Sequence, residues 1–194
     1  MSKFYSELSD ELIKFIEQQK IFFTASAPPD GRINLSPKGM DTFRCLSRTH
    51  VAYLDLTGSG NETAAHLREN SRMTIMMCSF GEDPLILRLY GQGEVISPLH
   101  NLWNDLLAEF PAIPGSRQIM MLSIESVQTS CGYAVPTCTE ITERPQLQQW
   151  AARKGVDGVN KYWQQKNRRS IDGLDTGITP QIRLTKLATT EWAE

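Results

Sequence analysis

Residues 51–77 read VAYLDLTGSGNETAAHLRENSRMTIMM, and the fold turns on the middle of this run. An apolar strand, a glycine turn, the start of a short helix and a second apolar strand follow one another without a spacer. Gly58 and Gly60 give G-x-G, but Thr63 stands where the dinucleotide fingerprint needs its third glycine. No Gly-Lys-Ser/Thr follows at P-loop distance. The turn still has useful chemistry. Its glycines let the backbone come close to a ligand. Asn61 is placed to cap the helix ETAAHLREN, whose first N–H groups and partial positive charge favour an anion. Thr57, Ser59 and Thr63 add hydroxyls. A plain capped strand-to-helix turn explains the same residues, and both readings stand at this point.

Outward from the turn the chain is rich in strands. KIFFTASA (20–27), RINLSP (32–37), TFRCL (42–46), HVAYLDL (50–56), RMTIMMCSF (72–80), LILRLYGQGEVI (85–96) and QIMMLSIESVQTS (118–130) all read as extended. Gly91 and Gly93 mark a bulge or bend in the sixth of these. PPDG (28–31) reads as the turn of a hairpin. Leu8, Leu12, Phe15 and Ile16 share a helical face after a Ser9 cap, and Ser97-Pro98 is placed to open a helix through LHNLWNDLLAEF. RPQLQQWAARKG (144–155) and VNKYWQQK (159–166) read as helices, followed by an irregular polar stretch. Roughly six to eight strands at short spacing, with helices between and after them, predict an antiparallel barrel or sandwich; the helices do not alternate regularly with single strands, which argues against a doubly wound parallel sheet.

Composition sets limits. The chain has 194 residues, 40% of them hydrophobic, and a net charge of -2. That length suits one barrel with an appendage. The balanced charge argues against a nucleic-acid partner, and no apolar run is long enough for a membrane span. The N-terminus lacks the apolar block of a secretory signal, and the four cysteines form no CxxC pair. Buried thiols in a reducing cytoplasm, with no metal site, are the expectation.

NLSPKGMDTFR (34–44) brings Ser36, Lys38 and Arg44 just upstream of the turn. If consecutive strands pair as neighbours, Ser36 and Lys38 lie beside the strand ending in Asp55 and Thr57. A lysine, hydroxyls and a helix N-terminus then form a receptor for a phosphomonoester. A solvated Lys38 and an edge-guarding Arg44 are the plainer alternatives.

The run INLSPKGMDTFR, then VAYLDLTGSGNETAAHLRENSRMTIMM, then LILRLYGQGEVI, resembles the flavin-binding split barrels related to pyridoxamine 5'-phosphate oxidase, over about residues 20–135. SCGYAVP (130–136) and RRSIDGL (168–174) resemble a subgroup of flavin-binding relatives. The resemblance implies a mainly β, six-stranded antiparallel split barrel with flanking helices, and a homodimer with FMN at the subunit interface. It places the barrel and N-terminal helix in residues 1–140, with 141–194 as an extension packed on it. It puts Ser36 and Lys38 beside the flavin, Asp55, Leu56 and Thr57 along its ring or ribityl edge, and Asn61, Glu62 and Thr63 in the phosphate turn. The family's oxidase has a basic residue in that turn; this chain has Gly60-Asn61-Glu62-Thr63, so backbone N–H groups and Lys38 are left to supply the positive field. The oxidase also carries a C-terminal Arg and His motif, which IRLTKLATTEWAE lacks. Oxidation of pyridoxamine 5'-phosphate is therefore not expected.

Other residues carry two readings each. Arg88, inside LILRLY, reaches the flavin or pairs with a carboxylate such as Glu94 or Asp55. Tyr133 stacks on a flavin of the partner subunit or, the favoured reading, sits in the core. His66 is read as solvent-facing or capping, KNRR (166–169) as a solvated face, and Trp150 and Trp163 as anchors of the terminal helices. No triad or carboxylate pair is present, so no catalytic residue is named. The expected function is an FMN-dependent oxidoreductase acting on a small molecule with a small electron donor. The alternative is a flavin, deazaflavin or haem binding, carrier or sensor protein without turnover.

Overall fold

A computed structural model describes residues 2–182; the C-terminal stretch read above lies, from 183 onward, outside the described residues. The elements run β1 (Lys3–Tyr5), α1 (Asp10–Gln18), β2 (Phe22–Ser26), β3 (Asn34–Lys38), β4 (Phe43–Cys45), β5 (His50–Leu56), α2 (Glu62–Asn70), β6 (Arg72–Cys78), β7 (Ile86–Ile96), α3 (Trp103–Leu107), β8 (Ser116–Ser130) and α4 (Gln146–Lys166). The strands form one antiparallel sheet in the order β3-β2-β6-β7-β8-β5-β4, with β1 added to β8. The class is mainly β, a split barrel, with eight strands against the six that the resemblance implies and the seven read along the sequence. The unforeseen strand is β1, whose three residues are all exposed and which exists only because the far half of β8 offers it a free edge.

The sheet curls until its ends meet, and side chains make the closure. Phe22 on β2 meets Phe43 on β4 and Tyr53 on β5 edge-on, with ring centroids 5.0 and 5.4 Å apart. Inside the curl lie Leu87 and Leu89 of β7, Leu122 and Val127 of β8, and Ile75 and Met77 of β6. Leu8 and Ile16 plug one end from around α1, whose Ser9 cap accepts from Leu12 N–H at 3.3 Å. Strand β5 is buried on both faces: Val51 and Tyr53 point into the barrel, and Ala52 and Leu54 pack with Trp103, Phe110 and Ile113 outside it. Double burial is the reason its sequence is a continuous apolar run and not an alternating one.

Three expectations about local structure change. The helix after Ser97-Pro98 begins only at Trp103, because Ser97 is taken up in a turn: its carbonyl accepts from His100 N–H at 2.9 Å and its hydroxyl from Leu99 N–H at 3.3 Å. Asn61 occupies the N-cap position of α2 without making the side-chain capping bond. Strands β3 and β4 do not pair with each other; the strand of Ser36 and Lys38 reaches Asp55 through closure of the curl, not through neighbour pairing. The two helices read in the last third are α4, broken at Gly155, where φ is 64° and ψ 172°.

The glycine bend in β7 is real: the β7–β8 register shifts between Tyr90 and Gly91. A Cβ at Gly91 falls 1.9 Å from the Ser123 carbonyl oxygen, whereas one at Gly93 meets only Leu67 and Met73 side-chain carbons at 2.7 Å and beyond. Backbone cannot yield as a flexible side chain can. Gly91→Ala is therefore expected to lower unfolding stability by at least about 2 kcal/mol, and Gly93→Ala by less, in parallel denaturant titrations. Equal losses would show that the bulge does not need its glycine.

Candidate functional site

Closure of the curl brings Lys38 to Asp55, Nζ to Oδ1, at 3.2 Å. Asp55 is 2% exposed and makes further contacts on its second oxygen. Arg117 Nη2 and Nε donate to Oδ2 at 2.7 and 3.1 Å, and Gln118 Nε2 donates to it at 2.9 Å. Burial pushes the Asp55 carboxyl up, but the Arg117 and Lys38 charges outweigh it and bring its pKa down to about 2, from an ordinary 3.8. Arg117 also donates from Nη1 to the Gly60 carbonyl at 3.0 Å. Gln118 donates to Asn61 Oδ1 at 2.6 Å, which is why that side chain does not cap its own helix. One buried carboxylate thus ties β3, β5 and β8 to the glycine turn.

The turn is held from its other side by the segment after α4. Trp163 Nε1 donates to Thr57 Oγ1 at 2.7 Å, and that hydroxyl donates to the Gly115 carbonyl at 2.7 Å. Asn167 Nδ2 donates to the Gly58 carbonyl at 3.1 Å, and Ile171 N–H donates to both Glu62 carboxylate oxygens at 3.1 Å. Trp163 is fully buried, as its reading as an anchor requires, while Trp150 stacks edge-on against Tyr162 of the same helix.

Between barrel, turn and this segment lies an open cavity of about 710 Å³. Ser36, Lys38, Asp55, Leu56, Asn61, Glu62 and Thr63 all line it. Thr57 is buried behind it, with its hydroxyl taken up by Trp163 and Gly115. Five cationic side chains face it, Arg32, Lys38, Arg117, Lys166 and Arg169, against the two carboxylates Asp55 and Glu62. In a chain of net charge -2 this is a local excess of positive charge.

Several residues sit otherwise than the sequence led us to expect. Arg88 does not line the cavity and pairs with neither Glu94 nor Asp55; it donates to Ser130 Oγ at 3.2 Å on the neighbouring strand. Tyr133 is 82% exposed, not a core residue. His66 is 1% exposed, with Nδ1 at 3.0 Å from Ser26 Oγ and Nε2 unpartnered at the cavity wall. The KNRR stretch is not a uniform solvated face, because Asn167 is fully buried and Lys166 and Arg169 line the cavity. Arg44 stays local: it pairs with Asp41 and lies 5.2 Å from the Phe110 ring centre. Of the thiols, Cys78 is buried and Cys45 half-buried, its pKa pushed up to about 11 by burial, while Cys131 and Cys138 are exposed. Among the described residues no helix is long and apolar enough to cross a membrane, and no His, Cys, Asp or Glu cluster is arranged to hold a metal.

Because the folded Asp55 pKa lies below the ordinary value, its contribution to stability is fully present above about pH 4 and is lost as pH falls toward 2, about 2 kcal/mol in all. Asp55→Ala is expected to cost about 3–5 kcal/mol at pH 7, since it strands the buried Arg117 guanidinium. Its stability curve should then approach wild type between pH 4 and 2. A variant whose deficit stays constant over that window would show that Asp55 is not ionised in the folded protein.

Comparison with known proteins agrees with this fold. The family model for pyridoxamine 5'-phosphate oxidase matches residues 8–131. A pyridoxamine 5'-phosphate oxidase family protein of Aspergillus flavus, ustO, is 41% identical over 197 residues, spanning 90% of this chain and 77% of its own length. Among solved structures, a Lactobacillus delbrueckii protein of the pyridoxamine 5'-phosphate oxidase type aligns with TM-score 0.51 at 21% identity, over 63% of this chain and 94% of its own. A single-substitution variant of HupZ from Group A Streptococcus aligns with TM-score 0.50 at 15% identity, over 63% of this chain and 98% of its own. At those identities the two structures share the fold. The chain belongs to the pyridoxamine 5'-phosphate oxidase family.

Proposed function

We propose that the cavity binds flavin mononucleotide and that the protein is an FMN-dependent oxidoreductase acting on a small molecule. The observation that carries this reading is the wall of the cavity: five cationic side chains line it beside the start of a nine-residue helix, Arg32 paired with Asp172 and Lys38 and Arg117 sharing Asp55. The volume of about 710 Å³ is in the range of cofactor and substrate sites, about 300–1,000 Å³.

The residues present fit such a group. Asn61 is 3% exposed and borders the cavity, its Oδ1 is taken by Gln118, and its Nδ2 is a buried donor without a partner. A phosphate oxygen there satisfies it and the N–H groups of the first turn of α2. Lys38 uses one donor on Asp55, keeping two for a ligand beside Ser36. Leu56 and Ile33 give apolar surface to a ring.

The flavin, when bound, accepts a hydride or electrons from the substrate. The protein's part is to bind, orient and exclude water. Asp55 fixes Lys38 and Arg117, so neither has to reorganise when an anion arrives. In the family this site lies at the interface of a homodimer, and we extend that arrangement to this chain.

Purified protein is expected to bind FMN at one per chain, with quenched flavin fluorescence and a yellow colour. Lys38→Ala should weaken FMN binding by about tenfold, the worth of one charge-assisted hydrogen bond. Anaerobic bleaching of the bound flavin by a nicotinamide donor, followed by reoxidation with candidate acceptors, would establish turnover. Folded protein that leaves FMN fluorescence unchanged would refute the reading.

A further inference from the structure

The turn of this chain has an acid, Glu62, close to where the proposed phosphate docks, and no basic residue of its own between Gly58 and Thr63. Lys38 and Arg117, the cations nearest in the barrel, are both engaged by Asp55. Taken alone, the barrel offers an anion a half-neutralised site. Arg32, the third cation of the barrel at the cavity, is paired with Asp172. The other two, Lys166 and Arg169, lie outside the stretch that matches the family model, which ends at residue 131.

Residues 166–171 run directly over the turn. Asn167 holds Gly58 and Ile171 holds Glu62, so the positions between them are fixed at both ends. Asp172 adds a third tie, pairing with Arg32 of the β2–β3 loop and accepting from its backbone N–H at 2.8 Å. Two cations of this segment line the cavity. The Lys166 ammonium makes no hydrogen bond or ion pair among the described residues. Arg169 uses one Nη1 donor on the Gly173 carbonyl at 3.1 Å and keeps the rest of its guanidinium. The start of α2 lines the same cavity, and the buried, unpartnered amide of Asn61 there is an observation independent of the charges.

We infer that the C-terminal segment completes the phosphate subsite within its own chain: Lys166 and Arg169 supply the positive charge that the turn lacks, above the Asn61 amide and the N-terminus of α2. Glu62 then has a defined task. It does not face the anion as a free charge; its carboxylate accepts from Ile171 N–H and holds the cationic segment in place. The inference rests on the flavin reading and adds to it which residues recognise the phosphomonoester. It also predicts which ligands are distinguished: those with a terminal phosphate from the same ring system without one.

The test compares FMN with riboflavin, titrated by flavin fluorescence against wild type, Lys166→Ala, Arg169→Ala and the double variant. Both side chains are exposed, so the variants should keep the thermal midpoint of wild type, which is measured alongside. The double variant is expected to lose about 30- to 100-fold in FMN affinity, with riboflavin affinity unchanged and Lys166→Arg close to wild type. Glu62→Gln keeps an acceptor for Ile171 and removes a negative charge, so it should hold or raise FMN affinity; Glu62→Ala, which loses the tether, should lower it. A double variant that keeps wild-type FMN affinity overturns the inference and leaves the flavin reading intact. Equal losses for FMN and riboflavin also overturn it, because the segment would then cover the ring and not the phosphate. Wild-type protein that binds neither ligand overturns both.

Discussion

Asp55 is a carboxylate with almost no access to water, at a point where the barrel is closed by side chains and not by a ladder. Left alone in that position it would be too costly to ionise. It is ionised because two cations and an amide meet it from two strands: Lys38 from β3, Arg117 and Gln118 from β8. The contact is therefore an obligation that runs both ways. The barrel cannot close without bringing Lys38 across, and the buried Arg117 cannot stay charged without Asp55. The edge-on packing of Phe22 against Phe43 and Tyr53 closes the barrel on its apolar side; the Asp55 cluster closes it where the cavity opens.

That cluster also sets the electrostatics of the site. Two cations share one carboxylate, so a positive surplus remains, in a fixed place and with fixed geometry. Arg117 reaches past Asp55 to the Gly60 carbonyl, and Gln118 reaches past it to Asn61. The shape of the glycine turn is consequently dictated from β8, far away in sequence. The turn has little freedom of its own to lose when a ligand arrives, which is the structural content of preorganisation.

Much of the fold could be read from the sequence, for local reasons. Strand β5 was visible because burial on both faces demands an unbroken apolar run, and the bend in β7 because only glycine fits against the Ser123 carbonyl. The cavity wall was partly legible, since Ser36, Lys38 and the turn residues lie within one stretch of chain. What escaped was non-local. Arg117 sits at the start of a strand that seemed to begin at Gln118, in a context, PGSR, that reads as a loop; nothing nearby hints at a carboxylate 62 positions earlier. His66 looks like a helix-surface residue until Ser26 is known to lie against it. Tyr133 misled in the opposite sense, because a tyrosine after a long strand is ordinarily packed and here it is open to solvent.

The last third of the chain shows why a departure from a family pattern is informative only with its compensation in view. Glu62 looks like a defect when the turn is considered alone, since it puts a negative charge where an anion is to bind. In the folded chain it is one end of a bond to Ile171, and the segment so tethered carries Lys166 and Arg169. Asn167 and Trp163 reinforce the same docking through Gly58 and Thr57, both in the turn. These contacts converge on one short stretch, residues 57–62, from a part of the chain that lies beyond the family match. A segment that only covered apolar barrel surface would have no need to bond to the turn's own carbonyl, hydroxyl and carboxylate. The way it is attached ties its position to the geometry of the cavity.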